Sequence, residues 1–214
     1  MTVGRVMTHN PFTVETGTSI LDARSLMRRE KIGRLPVIDR HKKLVGIVSE
    51  KDLLHASPSA ATTLDVYEMA SLLARLVVDK VMTRDVITVT PDTAVEDAAR
   101  LMVDHRIGGM PVLEGDRIVG IVTETDIFKL FIEHFGTRQR GVRLTALVSE
   151  KPGTIAALTT AIAQAGGNII SLGTFPGDDP STGICTVKVS DIPREKLDEL
   201  LRPQVVRIMD VREA

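Results

Sequence analysis

The sequence predicts an α+β chain, with two copies of a β-α-β-β-α unit followed by a β-α-β-β-α-β unit of different pattern. Three observations carry this. Motifs recur at a fixed offset through the first two-thirds of the chain. Apolar residues alternate between strand and helix spacing in the same order in both copies. The pattern then changes at Gly141.

The repeat comes first. "VMT" at 6–8 returns at 81–83, Thr13-Val14 at Thr88-Val89 and Leu26-Met27 at Leu101-Met102. "RLPVID" at 34–39 returns as "GMPVLE" at 109–114, and all these pairs stand 75 residues apart. The turn "DRHKK" is one residue longer than its counterpart "EGDR", so "VGIVSEKDL" at 45–53 and "VGIVTETDI" at 119–127 are 74 apart. The copies are therefore residues 2–56 and 77–135.

Each copy opens on a short extended entry, "PFTVE" or "VITVT". A helix follows, with Ile20, Ala23, Leu26 and Met27 on one stripe, matched by Val95, Ala98, Leu101 and Met102. Thr93 and Glu96 have the spacing of a capping box for the second of these helices. An apolar strand, a polar turn and a second strand come next, and a final helix begins near Glu50 or Glu124. Pro36 and Pro111 lack an N–H and are expected at a strand start or edge. Between the copies, residues 57–76 join a loop, "SPSAATT", to an amphipathic helix carrying Leu64, Met69, Leu72, Leu73 and Leu76.

After Gly141, strands at 142–149, 168–175, 183–190 and 205–211 alternate with helices at 154–165 and in "PREKLDELL", the order of a ferredoxin-like unit over 141–212. Cys185 shares a strand face with Val187 and Val189 and reads as a buried core thiol.

Composition narrows the function. The chain has 214 residues, 43% apolar and 26% charged, with a formal net charge of −1. That balance gives no basic field for nucleic acid or an anionic membrane. At 3% aromatic, it lacks stacking platforms for single strands. No apolar run reaches the length of a membrane span, and "MTVGRVMTHNPF" has no signal-peptide core. A single cysteine forms no internal disulfide. The expectation is a cytoplasmic protein.

No two of the five histidines stand at helical ligand spacing and none pairs with the cysteine, so no metal site is expected. Phosphate-loop and nucleophile-elbow motifs are also absent. What remains is the repeated hydroxyl–carboxylate pair, Ser49/Asp52 and Thr123/Asp126. Catalysis would need an activating base, and Lys51 in one copy is Thr125 in the other, so no enzyme is expected. Two readings stand together. The pair caps a helix, or its ionised acid accepts both hydroxyls of a ribose.

The duplicated unit resembles the cystathionine β-synthase (CBS) domain, and the pair resembles a tandem CBS (Bateman) module. "VMT", "GRLPV" at 33–37, "GGMPV" at 108–112, "GIVSEKDL" and "GIVTETDI" carry the resemblance, in order, in both copies. It implies a regulatory module that binds an adenosine-containing ligand (AMP, ADP, ATP, S-adenosylmethionine or NAD) as effector and not as catalytic cofactor. It implies ribose contacts at Asp52 and Asp126, helped by Ser49 and Thr123. Adenine contacts fall on Thr8, Phe12, Leu35, Pro36 and Val37, and on Thr83, Ile87, Met110, Pro111 and Val112. The basic position before the h-P-h strand is Arg34 in one copy and Gly109 in the other, which implies unequal sites. Lys31, His105 and Arg106 are further phosphate candidates.

The C-terminal unit resembles an ACT domain through "EKPGTIAALTTAIAQAGGNI", which implies an amino-acid effector near Gly153 and Asn168. The full order resembles the bacterial acetoin-utilisation accessory family. Both modules imply a homodimer and a regulated partner protein. The alternative is an interaction protein whose surfaces only build an oligomer.

Overall fold

The structure, a computed structural model, describes residues 1–56 and 76–214. The helix expected over 57–76 lies, apart from Leu76, outside the described residues. The described chain divides into two compact units, Met1–Ile127 and Phe128–Ala214.

The first unit holds both repeats. In one sheet, β2 (Val14–Glu15), β3 (Arg34–Ile38) and β4 (Leu44–Ser49) lie side by side in that order. In the other, the order is β1 (Thr8–His9), β6 (Arg117–Thr123), β5 (Gly109–Glu114). Helices α1 (Val3–Val6), α2 (Ile20–Glu30), α3 (Glu50–His55) and α4 (Val95–His105) accompany them, and α5 (Glu124–His134) starts in this unit.

The repeats exchange their leading segments. Thr8 and His9 pair with Ile121 and Gly120 of the second repeat. In return, Thr83 pairs with Ile47 of the first. The exchange reaches the helix starts: Val95 N–H donates to Met1 O at 3.1 Å, and Ile20 N–H to Leu76 O at 2.9 Å. It also reaches the cores. Val78 and Met82 pack among Ile20, Met27, Leu35 and Val48, whereas Val3 and Met7 pack among Met102, Met110 and Val122. Glycine makes the seat. A Cβ at Gly46 would overlap the Met82 sulfur, and one at Gly120 the Met7 sulfur.

The expected capping box at Thr93/Glu96 does not form. The N-cap of α4 is Ala94, with no side-chain bond. Thr93 Oγ1 accepts instead from Thr90 N–H at 3.0 Å, and Met1 O takes the Val95 amide. A main-chain acceptor brought by the exchange replaces the side-chain cap. The matching helix α2 is capped as usual, Ser19 Oγ accepting from Asp22 N–H at 3.0 Å.

Pro36 is not at an edge. It stands in β3, the central strand of its sheet, opposite Ile47. Ile47 spends its own amide and carbonyl on Thr83, so Pro36 faces β4 at a position that asks for no N–H. Pro111 lies in β5, at the end of its sheet's order, where its carbonyl accepts from Val89 N–H.

The second unit runs β7 (Val142–Ser149), α6 (Thr154–Gln164), β8 (Asn168–Pro176), β9 (Thr182–Ser190), α7 (Arg194–Leu201), β10 (Arg207–Glu213). Its antiparallel sheet has the order β10-β7-β9-β8, a split β-α-β arrangement. Strand alternation sends Val142, Leu144, Ala146 and Val148, with Cys185, Val187 and Val189, to one face under α6 and α7. Cys185 is 2% exposed, and burial pushes its thiol up from the ordinary value. Among the described residues, no helix is long and apolar enough to cross a membrane.

Candidate functional site

The hydroxyl–carboxylate pairs sit where a strand turns into a helix. Ser49 ends β4 and caps α3, and its Oγ and backbone N–H both donate to Asp52 Oδ2, at 2.6 and 2.8 Å. The capping box is complete, since Ser49 Oγ also accepts from Asp52 N–H at 3.3 Å. Both bonds into the carboxylate end on one oxygen. Asp52 Oδ1 carries none among the described residues, and Asp52 is half-buried. In the second repeat, Thr123 Oγ1 and N–H donate to Asp126 Oδ2 at 2.7 and 2.9 Å, and Asp126 is buried.

Ser49 and Asp52 border a cavity of about 530 Å³ in the first unit. Because of the segment exchange, its other wall comes from the second repeat: Thr83 and Ile87 line it, with Arg106 at the end of α4. Arg34 lines it from the first strand position of β3, directly across from Ser49. Motif residues that the sequence groups by copy are thus regrouped across copies. By the same register Thr8 lies beside β6, the strand that ends at Thr123, whereas Phe12 is exposed.

The two repeats differ at the phosphate candidate. Arg34 extends over Gly108, where a Cβ would overlap its guanidinium and come within 2.8 Å of Glu124 Oε2. The matching position on the other side, Gly33, has nothing within 4 Å, because Gly109 sends no side chain toward it. Gly109 is itself confined: a Cβ there would stand 2.9 Å from Val122 O.

Other expected residues fall elsewhere. Leu35, Val37, Met110 and Val112 are fully buried and belong to the cores, and Pro36 and Pro111 are buried beside them. Lys31 and His105 are exposed and do not line this cavity. Lys31 is the left-handed C-cap of α2, as Arg106 is of α4. Sequence reasoning missed Asp85, Val86, Glu50 and Lys51, which also line the cavity. All four are chain neighbours of motif residues, so the spacing was there to be read.

In the second unit, Gly153 is the left-handed N-cap of α6 and Asn168 the exposed first residue of β8. An 11-residue helix separates them, about 16 Å of rise, so one chain does not bring them together. Among the described residues, no group of three or more His, Cys, Asp or Glu side chains could hold a metal ion.

Comparison with known proteins bears on the first unit. The CBS domain model matches residues 3–59 and 78–133. The CBS domain pair of protein MJ0100, solved with 5'-methylthioadenosine and S-adenosyl-L-methionine, is 32% identical with a TM-score of 0.52, over 61% of this chain and 99% of that one. CBSX2 in complex with AMP is 33% identical, TM-score 0.51, over 64% and 98%. A putative acetoin utilization protein (AcuB) from Vibrio cholerae is 33% identical, TM-score 0.53, over 64% and 95%. Longer relatives include an uncharacterized protein, MJ1404, of Methanocaldococcus jannaschii, 38% identical over 59% of this chain, and an inosine-5'-monophosphate dehydrogenase of Nitrosopumilus maritimus, 35% identical over 58%. The chain spans only 31% and 23% of their lengths. A repeat that matches the domain model twice, joined into one cavity by exchanged segments, places this chain in the CBS-domain family.

Proposed function

We propose that the protein is a regulatory sensor that binds an adenosine-containing ligand between its CBS repeats. One observation carries the reading: Asp52 presents a carboxylate oxygen with no hydrogen bond among the described residues at the border of a cavity of about 530 Å³. An ionised carboxylate is acceptor-only and suits two adjacent hydroxyls of a ribose. Its other oxygen is already fixed by Ser49, so cap and ligand contact share one side chain. Thr83 and Ile87 offer a polar edge and an apolar wall for a base, and Arg34 and Arg106 offer charge to phosphates. CBS pairs solved with S-adenosylmethionine and with AMP support the ligand class.

The protein is regulatory in this reading and catalyses nothing. Ligand shifts the population of arrangements by its differential affinity for them, and a partner protein responds. The C-terminal unit serves as an ACT-like module for dimerisation. An amino-acid site using Gly153 and Asn168 would have to form between two chains, since one chain keeps them apart.

Titration calorimetry with AMP, ADP, ATP, NAD and S-adenosylmethionine tests the reading. Binding by at least one, weakened at least about tenfold in Asp52→Ala, is expected. Heat from none of them overturns it. A second reading, an interaction protein, is favoured by exposed Phe128 and Val103, at 65% and 76%. It predicts an oligomer whose stability ignores nucleotides.

A further inference from the structure

The sheet of the second unit has two faces, and only one is an apolar core. On the other, β7 and β9 set Arg143 directly opposite Lys188, and Thr145 opposite Thr186. Like charges facing each other across a ladder are destabilising. Lys188 is also withdrawn from water, and Arg143 is half-buried. Lys188 is 3% exposed, and among the described residues its ammonium donates only to Gly136 O, at 3.1 Å. Arg143 Nε is buried with no hydrogen-bond partner. Arg212, the next residue across the sheet, has its own carboxylate in Asp210 at 2.7 Å. Arg143 and Lys188 have no carboxylate partner among the described residues. A buried cation without a counter-charge costs far more than an exposed one.

Both cations line a cavity of about 510 Å³. Phe131, Phe135 and Phe175 supply its apolar wall; no Asp or Glu side chain lines it, and Ala214, which does, has its main-chain oxygen taken by Gly141 N–H at 3.0 Å. We propose that this cavity binds a small organic carboxylate with an apolar body. The two carboxylate oxygens meet Arg143 and Lys188, and the body lies against the phenylalanine rings. Thr145 and Thr186, whose hydroxyls are 3.1 Å apart, add a polar floor. A phosphate suits the place less well. It needs many donors, and here the backbone amides of β7 and β9 are engaged in the ladder. The inference stands on the second unit alone and is independent of the nucleotide reading.

Calorimetry and thermal melting of the full chain test it, with phenylacetate and 4-methylpentanoate as probes and phenylacetamide as the uncharged control. Saturable binding of at least one carboxylate is expected, at least about tenfold tighter than the amide, as a charge-assisted hydrogen bond implies. Arg143→Gln and Lys188→Met should each weaken it by at least about tenfold. Lys188→Met should also melt no lower than the parent, because it removes a buried unpaired charge, an outcome that a purely structural lysine would not give. Should that variant fail to fold, Arg143→Gln decides. Asp52→Ala should leave carboxylate binding intact. Neither carboxylate binding, equal binding of the amide, tighter binding of inorganic phosphate at the same residues, or binding indifferent to Arg143→Gln would each overturn the proposal.

Discussion

The two repeats carry the same hydroxyl–carboxylate pair, and in both the hydroxyl and its backbone N–H donate to one carboxylate oxygen. Their surroundings differ most at the neighbouring strand start. In the first, Arg34 stands across from Ser49 and covers Gly108. In the second, Gly109 stands across from Thr123 and leaves Gly33 uncovered. Duplication thus kept the carboxylate acceptor and the helix cap together, because one residue serves both. It left the charge at the neighbouring strand start free to diverge. The lesson is that a motif repeated for structural reasons can sit in two chemically distinct surroundings.

The comparison can be broken first at what the repeats share. Met82→Ala and Met7→Ala each empty a seat in the other repeat's core and should cost about 2–5 kcal/mol in urea unfolding. A large loss in one and none in the other would end the equivalence of the exchanged segments. Next comes the acid. Asp52→Ala should cost about 1.5–3 kcal/mol of nucleotide affinity by calorimetry, the worth of a hydrogen bond to a charged group. Asp126→Ala should leave binding at the Asp52 cavity unchanged. The divergent position follows. Arg34→Gln should weaken ATP by roughly 1 kcal/mol, leave adenosine unaffected and flatten the salt dependence. Equal losses for ATP and adenosine would move Arg34 from phosphate contact to packing.

The smallest effect belongs to the exposed pair joining the two strand turns, Lys43 Nζ to Asp116 at 2.8 Å. The hydrogen bond from Lys43, then its charge, holds the Asp116 carboxyl below its usual range, and Asp116 raises the Lys43 ammonium. A lowered carboxyl contributes above the ordinary carboxylate pKa and loses that contribution as pH falls through the folded value. Asp116→Asn should therefore shift the melting temperature barely at neutral pH and not at all in acid. A large shift at neutral pH would show that the turns matter to how the repeats are held.

Much of this was legible in the residues. The 75-residue offset, the strand-to-helix order and the burial of Cys185 follow from periodicity, which reports what each residue does locally. Periodicity does not say which copy a strand pairs with. "VMT" reads alike at 6–8 and 81–83, so the exchange of Thr8 to β6 and Thr83 to β4 was hidden. The false capping box at Thr93 has the same origin, since the competing acceptor, Met1 O, comes from 94 residues away in the chain. The opposition of Arg143 and Lys188 was hidden too. It depends on the register of two strands that the sequence places 45 residues apart.

The exchange also sets a timetable. Val3 and Met7 leave the ribosome long before β5 and β6, the strands that enclose them. Between Thr8 and its partner Ile121, synthesis at roughly 5–20 residues per second takes on the order of ten seconds. The β1-β6-β5 sheet takes its outer strand from the first repeat, and β4 gains its bridge to Thr83 only from the second. The nascent chain must hold the apolar turn of Val3 and Met7 in reserve until the second repeat closes on it.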